Sequence, residues 1–271
     1  MRLSQFKKVL VLAVTVAAFL QGAMASPILD DHFDTKTVLD APHQDGYWTW
    51  TSNEQEGVNS MTVEQADSLL KVSSTKVDNK ILRGQFYSSS GSSDLNYFDS
   101  PIQITVNGFS ADGTTSYWGN RYFYLAITPE TGDIWNVKDH VSLFIRGNQK
   151  TFSFGCKMDG TGSRKNLVES TTLPAEITDF KIRLDETSYR LELFYDDGQG
   201  TSGSEVFAGT HGMQASGMYQ SPDGNRLSIE FQSNSQEGDA NWSIDRITVV
   251  PEPATAVLLA FGGLAAFVRK R

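Results

Sequence analysis

A period of two runs through the middle of this 271-residue chain. Phe123, Leu125 and Ile127 alternate with Tyr122, Tyr124 and Ala126, and Val141, Leu143 and Ile145 alternate with Ser142, Phe144 and Arg146. Phe180, Ile182 and Leu184, then Leu191, Leu193 and Tyr195, then Leu227, Ile229 and Phe231 repeat the pattern, the last against Ser228, Glu230 and Gln232. Successive side chains of a strand point to opposite faces, so this period predicts half-buried strands. Asp112-Gly113, Asp159-Gly160, Asp197-Gly198 and Asp223-Gly224 place residues tolerant of positive φ between the runs and predict turns. Asp185 to Ser188 reads as a short hairpin connection. Ala66-Asp67-Ser68 reads as another, although a helix from Met61 to Leu70 is the alternative there. Many short antiparallel strands predict an all-β fold, a β-sandwich or jelly roll.

The two ends break this pattern. Arg2, Lys7 and Lys8 precede an apolar run from Val9 to Leu20, and Ala23-Met24-Ala25 follows with small residues. That order predicts a signal peptide over residues 1–25, cleaved after Ala25, with the Sec translocon and signal peptidase as partners. At the other end an apolar segment covers residues 254–268 and is closed by Arg269-Lys270-Arg271. As a helix it would rise about 22 Å, against a hydrocarbon core of about 30 Å, so it anchors only with snorkelling or local thinning. The basic end is expected to stay cytoplasmic, which puts everything before Pro251 across the membrane. Both ends therefore predict the same topology.

Between them, residues 26–249 suit one β-sandwich domain, with no internal repeat and no Pro-rich linker. The ends hold six of the 23 Lys and Arg and one of the 32 Asp and Glu, which leaves 17 basic against 31 acidic residues. Such a field argues against nucleic acid and anionic membrane surfaces as partners. It also argues against acidic polysaccharide, unless metal ions or a local basic patch intervene. Cys156 is the sole cysteine, so no intramolecular disulfide forms; it shares the parity of Phe152 and Phe154 and reads as a buried thiol.

Pro251-Glu252-Pro253, the apolar stretch and the basic cluster, in that order over residues 250–271, resemble the PEP-CTERM sorting signal of Gram-negative bacteria. The resemblance implies recognition by an exosortase, cleavage near Pro-Glu-Pro after a transient stay in the inner membrane, and a cell-surface, exopolysaccharide or biofilm destination. A second resemblance covers most of the domain as a pattern. Phe33-Asp34, Trp48-Thr49-Trp50, Asp179 to Leu184 with Tyr189 to Leu193, and Trp242 to Val249 are similar to concanavalin A-like lectin/glucanase jelly rolls. That likeness implies a closing strand from Trp242 to Val249 paired with the first strand. It also implies a structural Ca²⁺ where they meet, with oxygens from Asp31 and Asp34 and from Asp245, and Asp30 as a further donor. The alternative is that these aspartates only make turn and surface contacts.

Catalytic spacing is missing. Retaining glucanases of the resembled family carry Glu-x-Asp-x-x-Glu or Glu-x-Asp-x-Glu on one strand, and neither occurs. The four histidines are scattered, and there is no Gly-x-Ser-x-Gly. Carbohydrate binding needs less: aromatic rings for the apolar faces of sugars, with amides, carboxylates and cations for the hydroxyls. Trp118, Tyr122, Tyr124, Phe144, Arg146 and Glu230, with Gln232, stand at the non-core parity and are the candidate residues. The reading is a non-catalytic carbohydrate-binding or structural surface protein. The alternative is a polysaccharide-active hydrolase or lyase.

Overall fold

In the computed structural model the described residues are 29–33, 37–38, 44–45, 48–53, 59–76, 81–88, 95–113, 121–132, 134, 136–158, 163–213, 224–233 and 239–251. They form three antiparallel sheets and no α-helix.

The six-stranded sheet runs β1 (Leu29–Asp31), β19 (Arg246–Pro251), β8 (Ile102–Asn107), β14 (Ile177–Leu184), β15 (Ser188–Asp196) and β16 (Ser202–Thr210). The eight-stranded sheet runs β13 (Lys165–Thr172), β12 (Thr151–Lys157), β11 (His140–Arg146), β10 (Arg121–Thr128), β17 (Arg226–Ser233), β7 (Leu82–Ser88), β4 (Trp48–Ser52) and β3 (Gln44–Asp45). A five-stranded sheet joins β2 (Thr37–Val38), β5 (Asn59–Ala66), β6 (Leu69–Lys76), β18 (Ala240–Ile244) and β9 (Ser110–Gly113).

The alternating apolar residues meet as the period requires. Phe123 of β10 lies 5.9 Å from Phe180 of β14, with Phe109 4.8 Å from Phe123, so the eight- and six-stranded sheets share one core. Phe231 of β17 lies 5.6 Å from Trp242 of β18, which brings the five-stranded sheet onto the same core. Each fully buried aromatic or aliphatic side chain contributes roughly 1.5–3 kcal/mol, so dozens of them outweigh any single polar contact. Cys156 is buried as its parity predicts, its Sγ donating to His211 O at 3.4 Å, and burial pushes the thiol pKa up.

Turn chemistry follows local needs. Asp67 and Ser68 take φ of 57° and 59°, the left-handed pair of a two-residue hairpin, and Ala66 pairs with Leu69. The helix alternative over residues 61–70 is thus overturned: Val63 and Gln65 face one side with Leu70 and Val72, and the helix would break that ladder. In the Asp185–Ser188 connection the Asp185 carboxylate accepts from Thr187 N and Ser188 N. Asp112-Gly113 is not a turn. Both residues lie in β9 and pair with Asn241 and Ala240, because the ladder to β18 supplies hydrogen bonds that a turn would forgo. Asp159-Gly160 and Asp223 lie outside the described residues.

The closing segment pairs with β1, Leu29 opposite Val249, but as two strands. β18 belongs to the five-stranded sheet and β19 to the six-stranded one, with the break at Asp245. β8 and β9 switch sheets at the same level, where Asp245 N donates to Asn107 O at 3.0 Å. Gly108 makes this corner possible: its φ is +61°, and a Cβ there would sit 2.0 Å from the Asp245 carboxyl. β19 continues to Pro251, opposite Ile102 of β8.

Candidate functional site

The outward face of the eight-stranded sheet carries the residues left over from core formation. Strand register sets them in rows across the sheet. One row reads Thr51, Gln85, Glu230, Tyr124, Phe144, Ser153, and the next reads Arg83, Gln232, Tyr122, Arg146. Tyr122 is therefore the direct cross-strand partner of Arg146, and Tyr124 of both Glu230 and Phe144.

The three rings form one patch. Tyr122 and Tyr124 lie 5.0 and 4.9 Å from Phe144, and the Arg146 guanidinium stands 5.8 Å above the Phe144 ring. These distances suit aromatic packing and a cation–π contact. Tyr124 and Ala126 are buried there under Ile134, which comes from the connection between β10 and β11, as a small cluster separate from the main core. Ile134 N donates to Glu230 Oε2 at 2.9 Å, so the same connection covers this carboxylate. Gln85 Nε2 donates to Ser228 Oγ at 2.8 Å and to Gly132 O, securing the cover at its other end.

Arg164 lies across the opposite flank. Its Nε donates to Ser142 Oγ at 3.1 Å, its Nη2 to Ser142 O at 2.9 Å, and its Nη1 to Asn166 Oδ1 at 2.8 Å and Ser153 Oγ at 3.2 Å. Gly155 allows this approach, since a Cβ there would meet the Arg164 guanidinium carbon at 2.8 Å. Burial lowers the Arg164 pKa to about 10, so the group stays protonated at neutral pH.

Between Ile134's cover and Arg164 the face stays open as a groove of about 430 Å³, walled by Arg83, Tyr122, Tyr124, Phe144, Arg146 and Arg164. A smaller depression of about 220 Å³ continues past Arg83 to Gln85 and Glu230. The Arg83 Nε is 3.8 Å from Glu230 Oε1, joining the two hollows. Tyr122, Phe144 and Arg146 are half-buried and present surface to the groove, Tyr124 at 5% exposed acts as its floor, and Glu230 at 1% exposed lies under the smaller depression. Trp118 lies outside the described residues.

Sequence reasoning missed Arg83 and Arg164. The alternation of Arg83, Gln85 and Tyr87 with Leu82, Gly84 and Phe86 places Arg83 on this face and was available to be read. Arg164 precedes β13 in a loop and carries no periodic signal.

Two of the expected calcium donors, Asp30 and Asp31, are held by protein partners. Asp31 accepts from Phe33 N and from Trp48 Nε1, each at 2.8 Å, and Asp30 binds the Arg246 guanidinium through both oxygens at 2.8 Å. That hydrogen-bonded pairing holds the Asp30 pKa low. Burial, and the charge of Asp179 after it, raise the pKa of Asp245. Among the described residues no three His, Cys, Asp or Glu gather as a metal-binding group, and Asp34 lies outside them. Ala25, Glu252, Pro253, residues 254–268 and Arg269, Lys270 and Arg271 also lie outside.

The sandwich shares its fold with concanavalin A-like lectins. It is similar to lectin UEA-II complexed with galactose, with 12% identity over 84% of this chain and 100% of that one and a TM-score of 0.52. Lectin II from Ulex europaeus matches at 14% identity over 84% and 100%, with a TM-score of 0.51. The exoplasmic/lumenal domain of VIP36 in its Ca²⁺/Man-bound form matches at 12% identity over 79% and 89%, with a TM-score of 0.50. At these identities the likeness establishes the fold alone. Residues 249–271 match the PEP-CTERM protein-sorting motif, which marks the chain for exosortase-dependent export. The motif begins inside β19, where Val249 and Val250 still pair with Ile104 and Gln103. No curated protein matches the chain.

Proposed function

We propose that this protein is a non-catalytic carbohydrate-binding component of a bacterial cell surface or its exopolysaccharide matrix, with the groove of the eight-stranded sheet as the sugar site. The observation that carries this reading is the half-buried patch of Tyr122 and Phe144 beside Arg146 and Gln232 at the open part of the groove. Aromatic faces take the apolar C–H side of a sugar ring, and guanidinium and amide groups fix its hydroxyls. The lectin-like fold and the sorting motif agree with this use. Trp118 is proposed to add a ring to the same site.

The proposed route is Sec-dependent passage across the inner membrane of a Gram-negative cell, cleavage after Ala25, and transient anchoring by residues 254–268 with Arg269-Lys270-Arg271 inside. Exosortase then processes the tail at Pro251-Glu252-Pro253.

The test is glycan-array binding by the purified protein. Binding that falls at least tenfold in Phe144→Ala, with no new reducing ends or unsaturated sugars released from the bound polymer, supports the reading. Absence of binding across broad arrays overturns it. Release of fragments would move the protein to the hydrolase or lyase alternative, with Glu230 as the first residue to substitute.

A further inference from the structure

The charge of the groove is opposite to that of the chain. The protein carries 32 Asp and Glu against 23 Lys and Arg, a formal net charge of −9. The described residues lining the larger hollow include three arginines, Arg83, Arg146 and Arg164, and no carboxylate. Arg83 has Glu230 at 3.8 Å and is partly compensated. The acceptors of Arg164 are hydroxyl, amide and backbone oxygens of Ser142, Ser153 and Asn166, all neutral, so its full charge remains in the groove wall. A partly buried cation held only by neutral acceptors carries a desolvation cost that an anion entering the groove would offset. Arg146 adds a second charge on the floor of the same hollow, next to the ring of Tyr122.

We propose that the groove takes an acidic polysaccharide, whose sugar-borne anionic group, carboxylate or sulfate, sits between Arg146 and Arg164 while a ring stacks on Tyr122 and Phe144. This rests on the groove being the sugar site proposed above. A guanidinium such as that of Arg146 pairs with such an oxyanion through two parallel hydrogen bonds, which neutral sugars cannot match in strength, while Arg164, whose five N–H groups are donated to Ser142, Ser153 and Asn166, adds its charge. The acidic remainder of the protein does not cancel this. Its repulsion is screened beyond about 8 Å at physiological ionic strength, whereas the two arginines act at shorter range on a group held between them. The net charge instead sets a selectivity: an acidic chain binds where it meets the groove and is repelled elsewhere, so the protein does not coat polyanions indiscriminately.

The test is affinity of the purified protein for polygalacturonate and for dextran sulfate, each compared with neutral dextran. Expected is at least tenfold tighter binding of one or both acidic polymers, weakened by added salt. Which of the two binds distinguishes a carboxylate from a sulfate source. Arg146→Gln should lose about ten- to a hundredfold in that affinity. Arg190→Gln, an exposed arginine on β15 of the other sheet, removes the same charge and should leave binding unchanged. Melting curves of both variants control for folding, and Arg146→Lys should recover part of the binding. Equal binding of neutral and acidic polymers overturns the inference and leaves the sugar site standing. Acidic binding that Arg146→Gln does not weaken, or that Arg190→Gln weakens equally, overturns it by removing the groove from the interaction. Binding of no glycan at all overturns the sugar site and the inference together.

Discussion

Gln149 shows how much one side chain can secure in this fold. It holds a left-handed backbone, φ 58°, just after β11, and its amide reaches β9, β14 and the β8–β9 connection. Nε2 donates to Phe109 O at 3.0 Å and to Ile177 O at 2.6 Å, while Oε1 accepts from Ala111 N at 2.9 Å. Its backbone is used as well, with Ile177 N donating to Gln149 O at 2.7 Å. Gln149→Ala would leave these groups buried without partners. The expected loss is about 2–4 kcal/mol, read as a lowered denaturation midpoint with an unchanged slope; a loss below about 1 kcal/mol would refute the stitch. Nothing in the local sequence announces this residue, because its partners lie 28 to 40 residues away. The groove residues divide in the same manner. Tyr122, Tyr124, Phe144 and Arg146 were legible from parity on strands whose opposite face is plainly core. Arg164 was not, because a loop carries it across Gly155.

At the level of elements, strand alternation was readable wherever one face is apolar. β17 shows the limit of that reading. Leu227, Ile229 and Phe231 face the core as expected, yet Ser228, Glu230 and Gln232 are 0%, 1% and 5% exposed on the other side. The β10–β11 connection and the neighbouring strands cover them, so a polar outer face is here not a wet one. The β5–β6 hairpin offers a direct test of turn chemistry. Asp67 and Ser68 occupy two left-handed positions that glycine fills without steric cost. Ser68→Gly should stabilise the protein by about 0.4–1 kcal/mol, with a raised melting temperature. An unchanged or lowered melting temperature would show that the two positive φ values carry no strain.

Across the whole molecule, buried and paired ionisable groups combine into one pH response. Burial, and the charges of Arg164 and Lys157 after it, lower the His140 pKa to about 3. The fold thus requires neutral His140, and its contribution is complete above the unfolded value near 6.5 and lost as pH falls towards 3. His211, lowered by burial, acts in the same direction. The carboxyl of Asp30, hydrogen-bonded by Arg246, is held below its ordinary value; at Asp185 the bonds from Ser188 and Thr187 outweigh a desolvation that pushes upward. Both contribute stability above pH 3.8 that is lost on further acidification. Asp245, raised by burial and then by the charge of Asp179, works the other way. The melting temperature should therefore fall steadily from pH 6.5 to 4, and less steeply in His140→Leu; a flat profile in the parent protein would contradict the assignment. Local sequence was enough for the β class, the inward face of the strands with clear apolar alternation, such as β10, β11, β14, β15 and β17, and the sorting motif at the C-terminus. Each of these is written in local periodicity or in a short linear signal. Tertiary structure alone decided that the closing segment splits between two sheets at Asp245, that Gln149 ties distant strands, and that Arg83 and Arg164 join Arg146 around one groove. Those outcomes depend on which strands pair across the chain, and pairing is set by the shared core and not by any run of neighbouring residues.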